Sequence, residues 1–133
     1  MAAADDAEPD VIFDIAFEDG LLFAAVRNIS ARPAYRVSVA FDKPFTGLGG
    51  TQETSKLRLF RNIEFLAPQK EIRTLVDGAA SYFARKQPSK LVADVRWRSA
   101  DGKRRSHTIT HDLSIYRDVA YVTGKETHAG LAP

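Results

Sequence analysis

Cysteine is absent from the sequence. That excludes disulfides, thiolate metal sites and a cysteine nucleophile. Long apolar runs are missing as well, since none approaches the ~20 residues that a membrane-spanning helix needs. No long amphipathic helix appears, and no internal repeat. No serine sits in a Gly-x-Ser-x-Gly elbow. Gly47-Leu48-Gly49-Gly50 is not followed by Lys-Ser/Thr, so it lacks the rest of a phosphate-binding loop. Clustered aspartates of the kind that hold calcium at loop tips are missing too, because Asp77 and Asp101 stand alone.

What remains is an ordinary composition. The 133 residues are 44% hydrophobic and 27% charged, as expected of one globular domain. A formal net charge of +2 hides an asymmetry. Residues 1–19 hold seven acids (Asp5, Asp6, Glu8, Asp10, Asp14, Glu18, Asp19) and no base. Such a segment is either an acidic arm over a basic surface or a solvated tail. MAAADDAEPD has neither the basic start nor the apolar stretch of a signal peptide, so the expected location is cytoplasmic, or extracytoplasmic if a leader has been removed.

The dominant apolar period is two. Val11, Phe13, Ile15 and Phe17 alternate with their neighbours, as do Tyr35, Val37, Val39 and Phe41, and Leu91, Ala93, Val95 and Trp97. Strand side chains point to alternate faces, so these runs predict half-buried strands. Turn signals separate them: Asp19-Gly20, then Ser99 to Lys103 around Asp101-Gly102, with Pro33, Pro44, Pro68 and Pro88 between runs. The spacing predicts seven strands, roughly 11–18, 21–28, 35–43, 57–65, 70–76, 90–98 and 104–113. Residues 46–55 read as a flexible connection, and 79–86 as a helical turn with Tyr82 and Phe83 inward. The fold class is all-β, a two-sheet sandwich of about seven antiparallel strands, with a barrel as its rival. An acidic flexible arm occupies 1–10, the sandwich 11–116, and a C-terminal segment and tail 117–133.

Val26-Arg27-Asn28-Ile29-Ser30, then Pro33-Ala34-Tyr35, then Val37 and Val39, resembles the second-to-third strand passage of bacterial immunoglobulin-like domains of the adhesion-related and fibronectin type III-like groups. Phe65-Leu66-Ala67-Pro68-Gln69 looks like their leucine-any-proline-glycine turn, and Trp97 before Asp101-Gly102-Lys103 is similar to their aromatic strand end and hairpin. Ser30 and Gln69 stand where glycine is usual, and Trp97 where tyrosine is usual. The resemblance implies an immunoglobulin-like sandwich and a non-catalytic module for spacing or interaction; it names no ligand.

Two surfaces follow from strand parity. If the third, sixth and seventh strands share a sheet, Arg36, Arg96, Arg98 and Arg104 face outward, with Arg105 near the hairpin tip. Five arginines in one neighbourhood are a candidate anion site, because guanidinium pairs phosphate or carboxylate in a bidentate way. Nucleic acid is not expected there, since Trp97 and Tyr35 both have inward parity and no aromatic is left for stacking. The first two strands are apolar on both sides. Ile12, Leu21, Phe23 and Ala25 point outward, joined by Phe60 and Leu75, and form a candidate contact patch. Its cover is another copy, an unknown protein partner, or residues 116–122 of the chain itself. His107 and His111 stand four apart on a strand, roughly 13 Å, too far to share one ion. His111 is expected in the core against a backbone carbonyl. The sequence implies no enzyme, no cofactor, no metal and no membrane insertion.

Overall fold

The computed structural model describes residues 8–119. Seven strands form two antiparallel sheets. They are β1 (Val11–Glu18), β2 (Leu21–Asn28), β3 (Ala34–Phe41), β4 (Ile63–Leu66), β5 (Glu71–Gly78), β6 (Lys90–Arg98) and β7 (Arg104–Asp112). One sheet has the order β1-β2-β5 and the other β4-β3-β6-β7. Two short helices, α1 (Arg58–Arg61) and α2 (Ala79–Ala84), lie in the connections, and residues 115–119 are helical. The chain is therefore an all-β two-sheet sandwich. Among the described residues, no helix is long and apolar enough to cross a membrane.

The expected turn chemistry builds the hairpins. Asp19 and Gly20 both have positive φ, 51° and 78°, the geometry of the two-residue turn whose twist matches the flanking strands. β1 then pairs with β2 residue for residue, from Glu18 opposite Leu21 to Val11 opposite Asn28. Alternation puts Val11, Phe13, Ile15, Leu22, Ala24 and Val26 in the core with Val37, Val39, Leu91, Ala93 and Val95 of the other sheet. Phe13 meets Phe41 and Phe60 edge to face at 5.0 and 5.9 Å, and Phe41 meets Phe45 at 5.1 Å. Each such pair adds ~0.5–1.5 kcal/mol to the burial of its rings.

Asn28 explains the asparagine of the quoted motif. It is fully buried at the end of β2. Its amide nitrogen donates to the carbonyls of Arg32 (2.7 Å) and Leu66 (3.1 Å), and its oxygen accepts from Ser30 N (2.9 Å) and Oγ (2.6 Å). Both donors and the acceptor are satisfied, and one side chain ties the two sheets together. Gln69, at φ 63°, holds the left-handed position that glycine would take, and its amide donates to Ser30 O at 3.0 Å.

The structure corrects the sequence reading at four places. Residues 57–65 are not one strand: α1 precedes a short β4, and this sends Phe60 into the core at 2% exposure instead of the outer patch. Residues 46–55 are not a loose connection. Two 3-10 turns, Leu48–Gly50 and Thr54–Lys56, fold over buried Phe45 and Thr54. In β3 the ladder to β6 shifts between Tyr35 and Ser38, with Arg36 at φ 50°. This bulge puts Ala34 and Val37, three apart, both in the core and turns Tyr35 to the outer face. Finally, residues 8–10 are not free. Pro9 is buried, and its carbonyl accepts the Trp97 indole N–H at 3.1 Å.

Candidate functional site

The outer face of the four-stranded sheet gathers the arginines. Arg96 and Arg98 point outward from β6, and their ladder partners are Ser106 and Arg104 of β7. Arg36 sits at the β3 bulge. These residues and Arg105 line one open concavity of about 590 Å³, together with Arg61 from α1 and a single carboxylate, Asp94. All five sequence-predicted arginines are therefore brought together. Arg61 escaped the sequence reading because its segment read as a strand. Its signal was the three-residue spacing of Leu57 and Phe60, which places both on one side of a helical turn.

Among the described residues, most of this positive charge lacks a counter-charge. Asp94 Oδ2 pairs with Arg96 at 2.7 Å, and Glu8 Oε1 lies 3.5 Å from Arg105. Arg36, Arg61, Arg98 and Arg104 have no ion pair among the described residues. Arg105 does not face the same way as the others. It stands opposite Trp97 in the ladder, on the inner side of edge strand β7. There the acidic arm meets it. Glu8 also reaches Lys103 at 4.0 Å, and Asp10 Oδ1 lies 2.7 Å from His107 Nε2. Glu8 and Asp10 thus shield one rim of the basic surface.

Tyr35 belongs to this face as well. Its ladder partners are Arg98 on β6 and Phe65 on β4. The two rings meet edge to face at 5.5 Å, and Phe65 remains 55% exposed. Trp97 has inward parity as expected and is 3% exposed. The inward reading of Tyr35 is overturned by the bulge.

The other candidate face is smaller than parity implied. On the outer side of β1-β2-β5, Leu21 and Leu75 are 37% and 36% exposed, while Ile12 and Phe23 are half-buried. Ala25 points outward but is only 2% exposed, because its small side chain sits between longer neighbours in its ladder partners Asp14 and Arg73. The Arg73 guanidinium lies over the Phe23 ring at 4.4 Å and makes two hydrogen bonds to Glu18, at 2.9 and 3.2 Å. That contact holds the Glu18 carboxyl below the usual carboxylate range. Tyr116 does not cover this patch. It stacks on Phe17 at 5.5 Å and closes the edge of the sandwich, while Arg117 caps Phe83 at 4.7 Å. Ala120, Tyr121 and Val122 of the 116–122 segment lie outside the described residues.

His107 and His111 have structural partners. His111 Nε2 is 2.9 Å from the Phe13 carbonyl, the expected kind of partner, but the residue is half-buried at the edge strand and not in the core. Among the described residues, no group of three or more His, Cys, Asp or Glu is placed to hold a metal ion.

Fold and face together define a small two-sheet all-β domain with an arginine-lined concavity on one sheet. The chain belongs to the family described as "Domain of unknown function (DUF8453)", whose profile matches residues 1–117. No curated protein matches it, and no solved structure does.

Proposed function

We propose that this chain is a non-catalytic, immunoglobulin-like binding domain that takes a multivalent anion in the concavity of its β4-β3-β6-β7 sheet. One observation carries the reading: among the described residues, five arginines from four elements (Arg36, Arg61, Arg96, Arg98 and Arg104) converge there against one carboxylate, with Arg105 at the rim. Guanidinium stays charged at any physiological pH and forks onto phosphate or carboxylate oxygens. The immunoglobulin-like assignment is supported by the three-plus-four division of the strands and by the Asn28 staple.

Inorganic polyphosphate titrated calorimetrically tests the anion reading. Affinity is expected to fall on the order of tenfold or more between about 50 and about 200 mM salt, as counterions return to both partners. Arg98→Ala with Arg104→Ala should weaken binding and flatten that salt dependence by about one unit of slope per lost contact. Binding that ignores both salt and the double substitution counts against the concavity.

A second reading, a protein contact on the β1-β2-β5 face, is favoured by Leu21 and Leu75, exposed on adjacent strands beside Phe23. It expects light scattering to show an assembly that Phe23→Asp dissociates. A monomeric wild type that Phe23→Asp unfolds would make this face part of the core.

A further inference from the structure

We propose that the anion is single-stranded nucleic acid, its phosphates following the arginines while its bases stack on Phe65 and Tyr35. The inference rests on the anion reading and adds the chemistry of the ligand to it. The carrying observation is a juxtaposition. The β3 bulge turns Tyr35 onto the same sheet face as the arginines, opposite Arg98 in the ladder and in contact with Phe65. Phe65 is 55% exposed, so a large ring stands in water beside a basic concavity.

A groove of positive charge with flat aromatic rings beside it is the pattern that holds unpaired nucleotides, because every base offers a π face whatever its sequence. Acidic peptides, sulfated glycans and polyphosphate would use the arginines and leave Phe65 in water. A duplex hides its base faces. Three inter-strand gaps separate β4 from β7, about 14 Å at ~4.8 Å each. That width suits a few nucleotides, near the low end of the roughly 4–16 that other single-strand binding sheets accommodate. The ground for expecting no nucleic acid, inward aromatics on both β3 and β6, applies to Trp97 alone.

Fluorescence anisotropy of the full chain with labelled oligothymidylate and oligouridylate tests the proposal. The competitors are an abasic deoxyribose-phosphate strand of equal length, the matched duplex, polyphosphate and polyglutamate. Both oligonucleotides should bind, and their ratio tells DNA from RNA. The abasic strand should bind about tenfold more weakly. Phe65→Ala should weaken the oligonucleotides by a similar factor, leave polyphosphate competition unchanged, and be rescued by Phe65→Trp. Tyr35→Ala provides an independent second variant, with circular dichroism confirming that each is folded. Equal binding of the abasic strand, the duplex or polyglutamate overturns the stacking proposal while the anion reading stands. If neither oligonucleotide nor polyphosphate binds at low salt, both fall together.

Discussion

Asp77→Ala is expected to cost about 3 kcal/mol, near the low end of the ~3–5 kcal/mol typical when one partner of a buried ion pair is removed. Asp77 closes β5 and is 7% exposed. Its carboxylate accepts hydrogen bonds from Arg85 Nη2 (2.6 Å), Ser81 Oγ (3.1 Å) and the backbone N–H groups of Gly49 (3.2 Å) and Gly78 (2.9 Å). Arg85 in turn donates to Thr46 Oγ1 at 2.6 Å and to Thr46 O at 3.2 Å. The pair thus binds the 46–52 loop to α2 and β5. Removing the carboxylate leaves a guanidinium whose side chain is only 21% exposed facing no charge. Water at that fringe recovers part of the loss, which is why the smaller figure applies. Urea denaturation should show a lower midpoint at an unchanged slope. A change within about 1 kcal/mol would mean that the junction is solvated and holds nothing.

The same carboxylate gives a pH signature. Burial pushes the Asp77 carboxyl up, but Arg85 and the donors of Gly49, Ser81 and Gly78 outweigh it and hold it below the usual range. A group depressed in the folded state stabilises fully above its unfolded value, ~3.9 for aspartate, and loses that contribution as pH falls through the folded value. Stability should therefore drop on acidification. Asp101 and Asp112 are lowered in the same sense by the hydroxyls of Ser99 and Ser114. Asp77→Asn should flatten the acid limb without removing it. An unaltered limb would assign the whole effect to other carboxylates.

Gly47→Ala is expected to be at least as damaging, for a reason of space alone. Gly47 has φ −133° and ψ −175°, an extended backbone open to any residue. A Cβ there would overlap the carbonyl oxygen of Val76 and lie 2.6 Å from Thr54 Oγ1. Thr54 is fully buried, and the Val76 carbonyl is backbone, so neither can yield cheaply. Overpacking usually costs about 1–3 kcal/mol, and a backbone collision belongs at the top of that range or above it. Gly49→Ala supplies the contrast. Gly49 has φ 69° and open space around it, so only the left-handed penalty of ~1–2 kcal/mol applies. Thermal melts should rank Gly47→Ala well below Gly49→Ala. The reverse order would deny the close approach of the loop to β5.

These two sites show what alternation along a sequence can reveal. β1, β2 and β6 were legible because each runs eight or nine residues with one face buried, and β7, exposed or half-buried throughout, followed from the Asp101-Gly102 turn before it. The outward arginines of β6 and β7 followed from the same parity. A four-residue helix such as α1 offers one three-residue step in place of a repeating period, so Phe60 was misplaced and Arg61 missed. In β3 the sign of the bulge was small Ala34 standing three residues before Val37, a spacing that fits the core only if one residue is extra. The 46–55 connection looked loose because its anchors, Asp77 and Arg85, are 28 and 39 residues from their loop partners. Composition within a segment carries no trace of such distant ties.

Trp97 is the only tryptophan in the chain. Its indole lies at the wall between the arginine concavity and the acidic arm, bonded to Pro9 and tilted against His107 at 5.3 Å. The molecule thus carries a built-in optical probe at the boundary of its basic face. Intrinsic emission, excited at wavelengths that the four tyrosines absorb weakly, can follow occupancy of that face and displacement of the arm in unlabelled protein.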